Sequence, residues 1–257
     1  TYFNNSPDTL REMYINLFPN IFKKGQIRDE VVEYSDESNG LTIENISINK
    51  AVVDTAKENE KIIYGPTNLK VILDSVIPPK TKIPINIKWH YIINKGSHSR
   101  TGGVDSTTFF IAYFFPHIAV YDDIDGWDDF HFMGDAEFYN DFGDFDVNIT
   151  VPENFVVWGT GFLQNPDEVL QKKYLKRFQS ALTTENIVHI VDSTEAQLKN
   201  ITTHNIQNVW KFEAKYVSDF AFATSDHYLW DATSLVVDTT SGERVFIDVA
   251  YNKNAQD

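Results

Sequence analysis

The 257-residue sequence contains no cysteine. Without a thiol the chain has no disulfide scaffold, no cysteine-based zinc site and no thiol nucleophile. It also has no apolar run near the roughly 20 residues that a membrane-spanning helix requires, and no recognisable signal peptide. These absences exclude cysteine chemistry and predict no helical membrane span.

Basic residues are scarce, with 22 Lys and Arg against 37 Asp and Glu, which gives a formal net charge of −15. Nucleic-acid affinity comes largely from basic side chains that displace counterions, and anionic membranes attract the same residues. Hydrophobic residues nevertheless make up 42% of the chain and aromatic residues 14%, enough for a packed core. The composition therefore predicts a globular protein that binds neither nucleic acid nor a membrane surface.

Apolar residues alternate with polar ones along much of the chain from Leu41 onward. In residues 83–93 every odd position is apolar or aromatic, and the same period returns in residues 144–151, 210–216 and 245–251. A period of two places one face of a strand against a core and the other towards solvent. Shorter β-rich runs are residues 69–73, 109–115, 155–158, 187–191 and 220–224. The pattern predicts a single all-β domain over residues 1–257, with twisted antiparallel sheets in a saddle-like or sandwich arrangement and one or two accessory helices.

Two segments have helical signals. Ser6 and Pro7 suit a helix start, and apolar residues follow at helical spacing: Leu10, Met13, Tyr14 and Leu17. The second helix is predicted to be capped by Asn165 and opened by Pro166. Its apolar stripe recurs every four residues: Leu170, Tyr174, Phe178 and Leu182. Its remaining face carries the basic residues Lys172, Lys173, Lys176 and Arg177, which a solvated helix face explains better than a docking patch.

Known catalytic motifs are missing. A gluzincin zinc site needs two histidines one helical turn apart with a glutamate between them. No two of the seven histidines are four residues apart: His90, His98, His117, His131, His189, His204 and His227. The serine-hydrolase elbow G-x-S-x-G and the phosphate-binding loop are also absent. Spacing therefore predicts no metal ligand and no catalytic residue.

The segment 122–146 holds ten carboxylates and no Lys or Arg. Calcium takes six to eight oxygen ligands, which makes Asp122, Asp123 and Asp125 candidate calcium ligands. The EF-hand spacing fails, because Tyr121 and Phe132 stand where the first and last ligands would be. A paired-carboxylate glycosidase site is a further alternative. A solvated acidic loop is the default interpretation.

Several blocks of the sequence are similar to the motifs of one known protein family. Residues 114–123 are similar to the family's W-Y-P-x-x-A-V-Y-D-D, and residues 142–152 to its G-D-F-D-V-x-I-T-V-P. Residues 2–10, Tyr-Phe-Asn-Asn-Ser-Pro-Asp-Thr-Leu, resemble its Y-x-N-N-S-P-D-T-L. Further matches occur in the family's order at residues 126–127, 134–139, 160–166, 210–214, 219–223 and 230–231. Through these blocks the chain resembles the aminopeptidase N-like family of zinc metallopeptidases.

The resemblance implies a non-catalytic, saddle-shaped N-terminal β domain that packs on a thermolysin-like catalytic domain of the same polypeptide and helps to shape the cleft for a peptide substrate. In the family, that second domain carries the H-E-x-x-H helix and the zinc ion. This chain has neither that motif nor, by implication, a cofactor of its own. The match begins inside the family's domain and stops near the expected start of the catalytic domain, so truncation at both ends is expected. Export to the periplasm or the medium is common among such proteins.

In this family the N-terminal domain also supplies a Gln or Glu that holds the substrate's free amine. The equivalent positions here are Tyr113 or Thr107, and neither has an amide or a carboxylate. Tyr113 and Thr107 are the candidate substrate-binding residues by position alone. For Tyr113, packing in the core is the favoured interpretation.

A stand-alone β-sandwich binding module is the alternative function, either calcium-dependent or carbohydrate-binding through exposed aromatic rings. Trp127, in the acidic segment, is the best candidate for stacking on a sugar. Alternation places Trp89 and Trp210 on apolar faces instead.

Overall fold

The structure is a computed structural model that describes residues 1–29, 31–55, 59–96, 100–134 and 136–253. The chain folds into two compact units, which we describe separately. Unit 1 comprises Thr1–Val104 and Ile111–Phe142, and unit 2 comprises Asp105–Phe110 and Gly143–Asp257. Because two compact units can belong to one domain, the single domain over residues 1–257 stays a prediction.

The described residues are mostly β-strand, which confirms the predicted all-β class with two accessory helices. The strands are β1 (Tyr2–Phe3), β2 (Leu10–Asn16), β3 (Thr42–Ile48), β4 (Ala51–Val53), β5 (Ile62–Tyr64), β6 (Asn68–Ile77), β7 (Lys82–Ile83), β8 (Ile85–His90), β9 (Gly102–Gly103), β10 (Thr108–Ile111), β11 (His117–Ile118), β12 (Gly143–Pro152), β13 (Val156–Gly159), β14 (Phe162–Leu163), β15 (Val188–Val191), β16 (Gln207–Val217), β17 (Phe222–Ser225), β18 (Leu229–Asp238) and β19 (Glu243–Tyr251). The helices are α1 (Pro166–Val169) and α2 (Lys172–Ala181), with short 3₁₀ helices at Phe18–Phe22, Tyr34–Asp36 and Ala196–Leu198. No helix in the described part of the chain is long and apolar enough to cross a membrane.

Unit 1 contains antiparallel sheets with the strand orders β11-β2-β6-β5, β4-β3-β8 and β1-β7. Their inward residues form one hydrophobic cluster, in which Met13, Ile15, Ile46 and Leu69 are fully buried. The odd positions of β8 point towards this cluster and the even positions are exposed, as alternation predicts. Burial of these aliphatic side chains contributes about 2 kcal/mol each and stabilises the unit.

The helix predicted after Ser6 is wrong, because Leu10–Asn16 is strand β2. The β2–β6 register shifts between Leu10 and Glu12, where two steps along β2 correspond to five steps along β6, from Ile72 to Ile77. The extra residues of this irregularity therefore lie on β6. At the same place the buried residues of β2, Leu10 and Met13, are three apart instead of two. This spacing imitates a helix, whereas Met13, Ile15 and Leu17 follow the period of two.

Unit 2 contains sheets with the orders β12-β16-β14 and β15-β18-β19, and β17 lies between β13 and β10. Alternation is confirmed along β12 and in β16, where Trp210, Phe212 and Ala214 are buried. Tyr216 departs from it and is exposed with a φ of 53°, beside the register shift between Gly143 and Phe145. Strand β19 also departs from the expectation that the apolar side of a strand faces the core, since Val245, Ile247 and Val249 are exposed.

The predicted second helix is divided into α1 and α2 by Leu170 and Gln171. Leu170 has extended backbone angles, with φ −99° and ψ 140°, and forms an isolated β-bridge with Thr202. The Gln171 amide donates to the Ile201 carbonyl at 3.0 Å. Pro166 does open the first helix, and Leu170, Tyr174 and Phe178 of the predicted stripe are buried. Asn165 precedes the helix without capping it through its side chain.

Candidate functional site

The two candidate substrate-binding residues lie in different units, Tyr113 in unit 1 and Thr107 in unit 2. The Tyr113 ring lies 4.2 Å from the ring of Phe138 and 6.4 Å from that of Phe18, between ring centroids. Phe132 packs on the same two rings. The φ of Tyr113 is 52°, a left-handed conformation that costs a non-glycine residue free energy. Tyr113 is therefore held by aromatic packing at a strained backbone position.

Thr107 belongs to a polar network around the buried carboxylate of Asp226. The Thr107 hydroxyl donates to Asp226 Oδ1 at 2.8 Å, and the Lys199 ammonium donates to Oδ2 at 2.5 Å. The His227 ring lies between two carboxylates, with Nδ1 2.8 Å from Asp226 Oδ1 and Nε2 3.2 Å from Asp105 Oδ2. A carboxylate only accepts, so both contacts of the ring are hydrogen bonds when both ring nitrogens carry a proton. We call these five residues the Asp226 network.

Ser225 adjoins the network but lacks the features of a nucleophile. Its hydroxyl lies 2.9 Å from the Thr108 hydroxyl and 3.4 Å from His227 Nδ1, and the residue is 1% exposed. A substrate cannot reach a side chain buried to that degree, and the same ring nitrogen is closer to Asp226. The Asp226 network connects the start of β10, the end of β17 and the segment after Leu198. Its interactions are ion pairs and hydrogen bonds around the buried Asp226 carboxylate.

Substitution of Asp226 by asparagine is expected to destabilise unit 2 at neutral pH and to have a smaller effect in acid. Burial alone would raise the pKa of Asp226, but hydrogen bonds from Lys199, His227 and Thr107 hold it below its usual value. A lowered folded pKa contributes stability that is present above the unfolded pKa of about 3.9 and is lost as pH falls through the folded value. The loss at pH 7 should be about 2 kcal/mol, because a neutral amide replaces a buried carboxylate that accepts hydrogen bonds from Lys199, His227 and Thr107.

Urea unfolding at pH 7 and pH 3 measures this difference. Thr107→Val is the control, because it removes one hydrogen bond and keeps the carboxylate, so its deficit should be about 1 kcal/mol at pH 7 and should change less with pH. An Asp226→Asn deficit of equal size at both pH values would contradict the assignment.

The calcium candidates lie in a tight acidic turn of unit 1. Asp122 Oδ1 accepts hydrogen bonds from the backbone amides of Ile124 and Asp125 at 3.0 and 2.9 Å, and Oδ2 accepts from the Tyr139 hydroxyl. Those amide bonds, with the one from Tyr139, lower the pKa of Asp122. Asp123 and Asp125 are exposed. Asp122 thus has a role in folding the turn, and calcium binding stays a prediction.

A metal-binding group of three His, Asp or Glu side chains is not found within the described residues. The described part of the chain therefore offers no set of ligands that fits zinc. His98 and Asp135, which belong to the histidines and the acidic segment considered above, lie outside the described residues.

The tryptophans are buried or half-buried, including Trp127. The Trp127 ring lies 5.3 Å from the ring of Tyr121 and 6.2 Å from that of Tyr2, and it packs against the hydrophobic cluster of unit 1. Trp89 donates its indole N–H to the Phe114 carbonyl at 3.0 Å. A sugar-stacking platform needs a free aromatic face, so this packing does not support the carbohydrate-binding alternative.

Unit 2 has an exposed apolar surface on the sheet β15-β18-β19. Its members are aliphatic side chains 43 to 53% exposed: Leu235, Val245, Ile247 and Val249. Leu235 and Val245 are directly opposite in the β18–β19 register, so the four residues share one side of the sheet. At the end of that side, His189 and Tyr251 both contact the Asp231 carboxylate, at 2.7 and 2.9 Å. We call the four aliphatic residues the apolar face.

The sequence pattern in residues 245–251 indicated a strand, but it gave no sign that the apolar side would face solvent. The Asp226 network was missed except for Thr107, because its members are far apart in the chain. The only local signal is the tripeptide Ser225-Asp226-His227, which brings a hydroxyl, a carboxylate and an imidazole to the end of one strand.

No family model and no curated protein matches the chain. Among solved structures it is similar to an M1 zinc metallopeptidase from Deinococcus radiodurans, with a TM-score of 0.45 and 8% identity, covering 90% of this chain and 37% of that one. A mutant of the M1 zinc metallopeptidase from the same organism, bound to a Tyr-Ser-Ala substrate, gives a TM-score of 0.44 at 10% identity over 94% of this chain and 40% of that one. A two-domain M1 zinc metallopeptidase mutant bound to L-arginine gives 0.46 at 10% identity over 97% and 42%. The chain thus spans about two fifths of the length of the solved structures it matches, and the similarity is distant.

Proposed function

We propose that the chain is a non-catalytic β domain of an aminopeptidase N-like zinc metallopeptidase, which packs on the catalytic domain of the same polypeptide and helps to shape its peptide-binding cleft. The catalytic domain holds the zinc ion and carries out hydrolysis. This chain supplies no catalytic residue in the proposal.

The apolar face is the observation that carries the proposal. A regular sheet that turns aliphatic side chains towards water is unfavourable in isolation, since burial of each would contribute about 1 to 2 kcal/mol. Contiguous apolar patches of this kind mark protein–protein or domain–domain contacts. The sequence blocks that resemble the metallopeptidase family support a catalytic domain as the partner.

The complete reading frame that encodes this chain gives the first test. We expect it to contain H-E-x-x-H and a further glutamate on the next helix, and the full-length product to bind zinc and release amino acids from peptides. The chain alone should bind no zinc in elemental analysis and should not hydrolyse the same peptides. A full reading frame without the zinc motif would rule out an active metallopeptidase.

Hydroxyl-radical footprinting tests the docking surface itself. Leu235 should be oxidised at least about fivefold more slowly in the full-length product than in this chain alone, because docking removes it from solvent. Ile206 is the control, since it is 91% exposed in the same unit and lies outside the sheet. Its oxidation rate should be the same in both proteins. Equal rates for Leu235 would show that another surface carries the contact.

A further inference from the structure

Strand β19 forms one edge of the sheet β15-β18-β19 and pairs only with β18 among the described strands. It is nine residues long, and its described residues make no further backbone hydrogen bond to other segments. Natural edge strands are usually protected by lysine, proline, a bulge or a short length. This strand has neither lysine nor proline, and the bulge of the pair lies at Val236 and Asp238 on the other strand. The edge is therefore long, regular and open to another strand.

The sequence of β19 is complementary to itself in the antiparallel direction. If two copies pair about Ile247, this residue lies opposite itself and Val245 lies opposite Val249 of the second copy. The apolar side of one sheet then continues without a break into the other. On the opposite side, Arg244 comes diagonal to Asp248 of the second copy. Both side chains have partners in their own chain, Ser234 and Trp230, so the apolar pairs carry the complementarity.

We propose that β19 pairs with β19 of a second copy of this chain, antiparallel and about Ile247, which joins the two sheets into one. The contact uses the backbone of the edge, whereas the apolar face is a side of the sheet, so the proposal does not depend on the proposed function. Both copies carry a net charge of −15, and the resulting repulsion opposes association at low salt. The dimer should therefore strengthen as salt screens that repulsion.

Single cysteines test the register directly, because the chain has no cysteine of its own. Opposite residues of antiparallel strands have Cα atoms about 4.5 to 5.5 Å apart, a separation that a disulfide spans. Under mild oxidation, Ile247→Cys should form a disulfide-linked dimer at least about tenfold faster than Leu235→Cys. Leu235 is the matched control, since it is 43% exposed against 45% for Ile247 but lies on β18, one strand in from the edge.

Charged variants give a second readout that needs no oxidation. Ile247→Lys or Ile247→Glu alone places like charges directly opposite across the two-fold axis and should be monomeric in sedimentation. An equal mixture of the two should associate again, since the pair then has opposite charges. Cross-linking of Leu235→Cys as fast as that of Ile247→Cys, or no association in the mixture, would overturn the proposal. So would a monomeric unmodified chain at about 100 µM in physiological salt, a concentration at which a weak specific dimer is populated.

Discussion

Replacement of Arg177 by alanine is expected to lower the free energy of unfolding of unit 2 by about 3 kcal/mol. Arg177 Nη1 donates to Glu195 Oε2 at 2.5 Å and to the Ile190 carbonyl at 2.9 Å. The Glu195 side chain is only 6% exposed. Loss of the arginine leaves the buried carboxylate with the exposed Lys173 as its remaining cation. A buried charge that has lost a partner costs more than the pair contributes.

Lys173→Ala is the matched control, because Lys173 contacts the other oxygen of the same carboxylate but is 58% exposed. Its removal should cost less than about 1 kcal/mol, as for other exposed ion pairs. Urea unfolding of both variants at pH 7 measures the difference. Equal losses in the two variants would show that Arg177 stabilises the protein no more than the exposed Lys173 does.

The Arg177→Ala deficit should also become smaller in acid. Burial acts to raise the pKa of Glu195, but the hydrogen bonds from Arg177 and Lys173 hold it below its usual value. A lowered pKa contributes stability above the unfolded pKa of about 4.3 that disappears as pH falls through the folded value. As Glu195 becomes protonated, the arginine has less charge to balance, so the difference in unfolding free energy between the two proteins should be smaller at pH 3 than at pH 7.

The strands could be predicted from the sequence where one side of the sheet is apolar and the other side is polar. In residues 83–91 and 144–151 the structure places the apolar odd positions inward. Ile93, which the alternation of residues 83–93 also placed inward, lies beyond the strand and is exposed. Prediction failed at residues 10–17 because the buried residues Leu10 and Met13 are three apart at the irregularity in the β2–β6 pairing. It also failed at Leu170, where the backbone leaves the helix to pair with Thr202, a partner more than 30 residues away. The spacing of apolar residues along the sequence identifies the local conformation, but it contains no information about such distant partners.

The same limit explains which site residues were found. Tyr113 and Thr107 were identified by resemblance, not by spacing. The partners of Thr107 are Asp226 and His227, about 120 positions later. A network of single polar residues has no period, so only the folded chain assembles it. The apolar face had a clear period, but a period of two does not state which side of the strand meets water.

The blocks that resemble the metallopeptidase family have structural roles in this fold. Gly161 has a φ of 87°, and a Cβ there would lie 2.2 Å from the Glu213 carbonyl oxygen, so only glycine fits beside β16. The Asn165 side chain accepts from the Lys211 amide at 2.9 Å and donates to the Val209 carbonyl at 2.9 Å. Both residues fix the segment before α1 to β16. Motifs of this kind constrain a fold rather than a reaction, which agrees with a non-catalytic role for the chain.

In unit 1, Asn4 of the block Asn-Asn-Ser-Pro has a structural role like that of Asn165. Asn4→Ala is expected to destabilise unit 1 by about 2 to 3 kcal/mol. The residue is 1% exposed. Its side-chain amide donates to the carbonyls of Asp8, Ile77 and Pro78 at 2.8 to 3.2 Å, and its oxygen accepts from the Ser6 hydroxyl at 2.7 Å. Alanine removes these bonds, including the buried one to the Ile77 carbonyl, where β2 begins to pair with the end of β6.

Asn5→Ala is the control for this substitution, because Asn5 is the exposed neighbour and its side chain contacts only the exposed ammonium of Lys80 among the described residues. It should change the free energy of unfolding by less than about 0.5 kcal/mol. Asn4→Asp should be as harmful as Asn4→Ala or worse, since it places a negative charge among carbonyl oxygens. Chemical unfolding compares the three variants, and hydrogen exchange of the β2 and β6 amides locates the loss. Similar stability of Asn4→Ala and Asn5→Ala would show that the Asn4 side chain does not stabilise the turn. The presence of the block would then have a cause other than the stability of the fold.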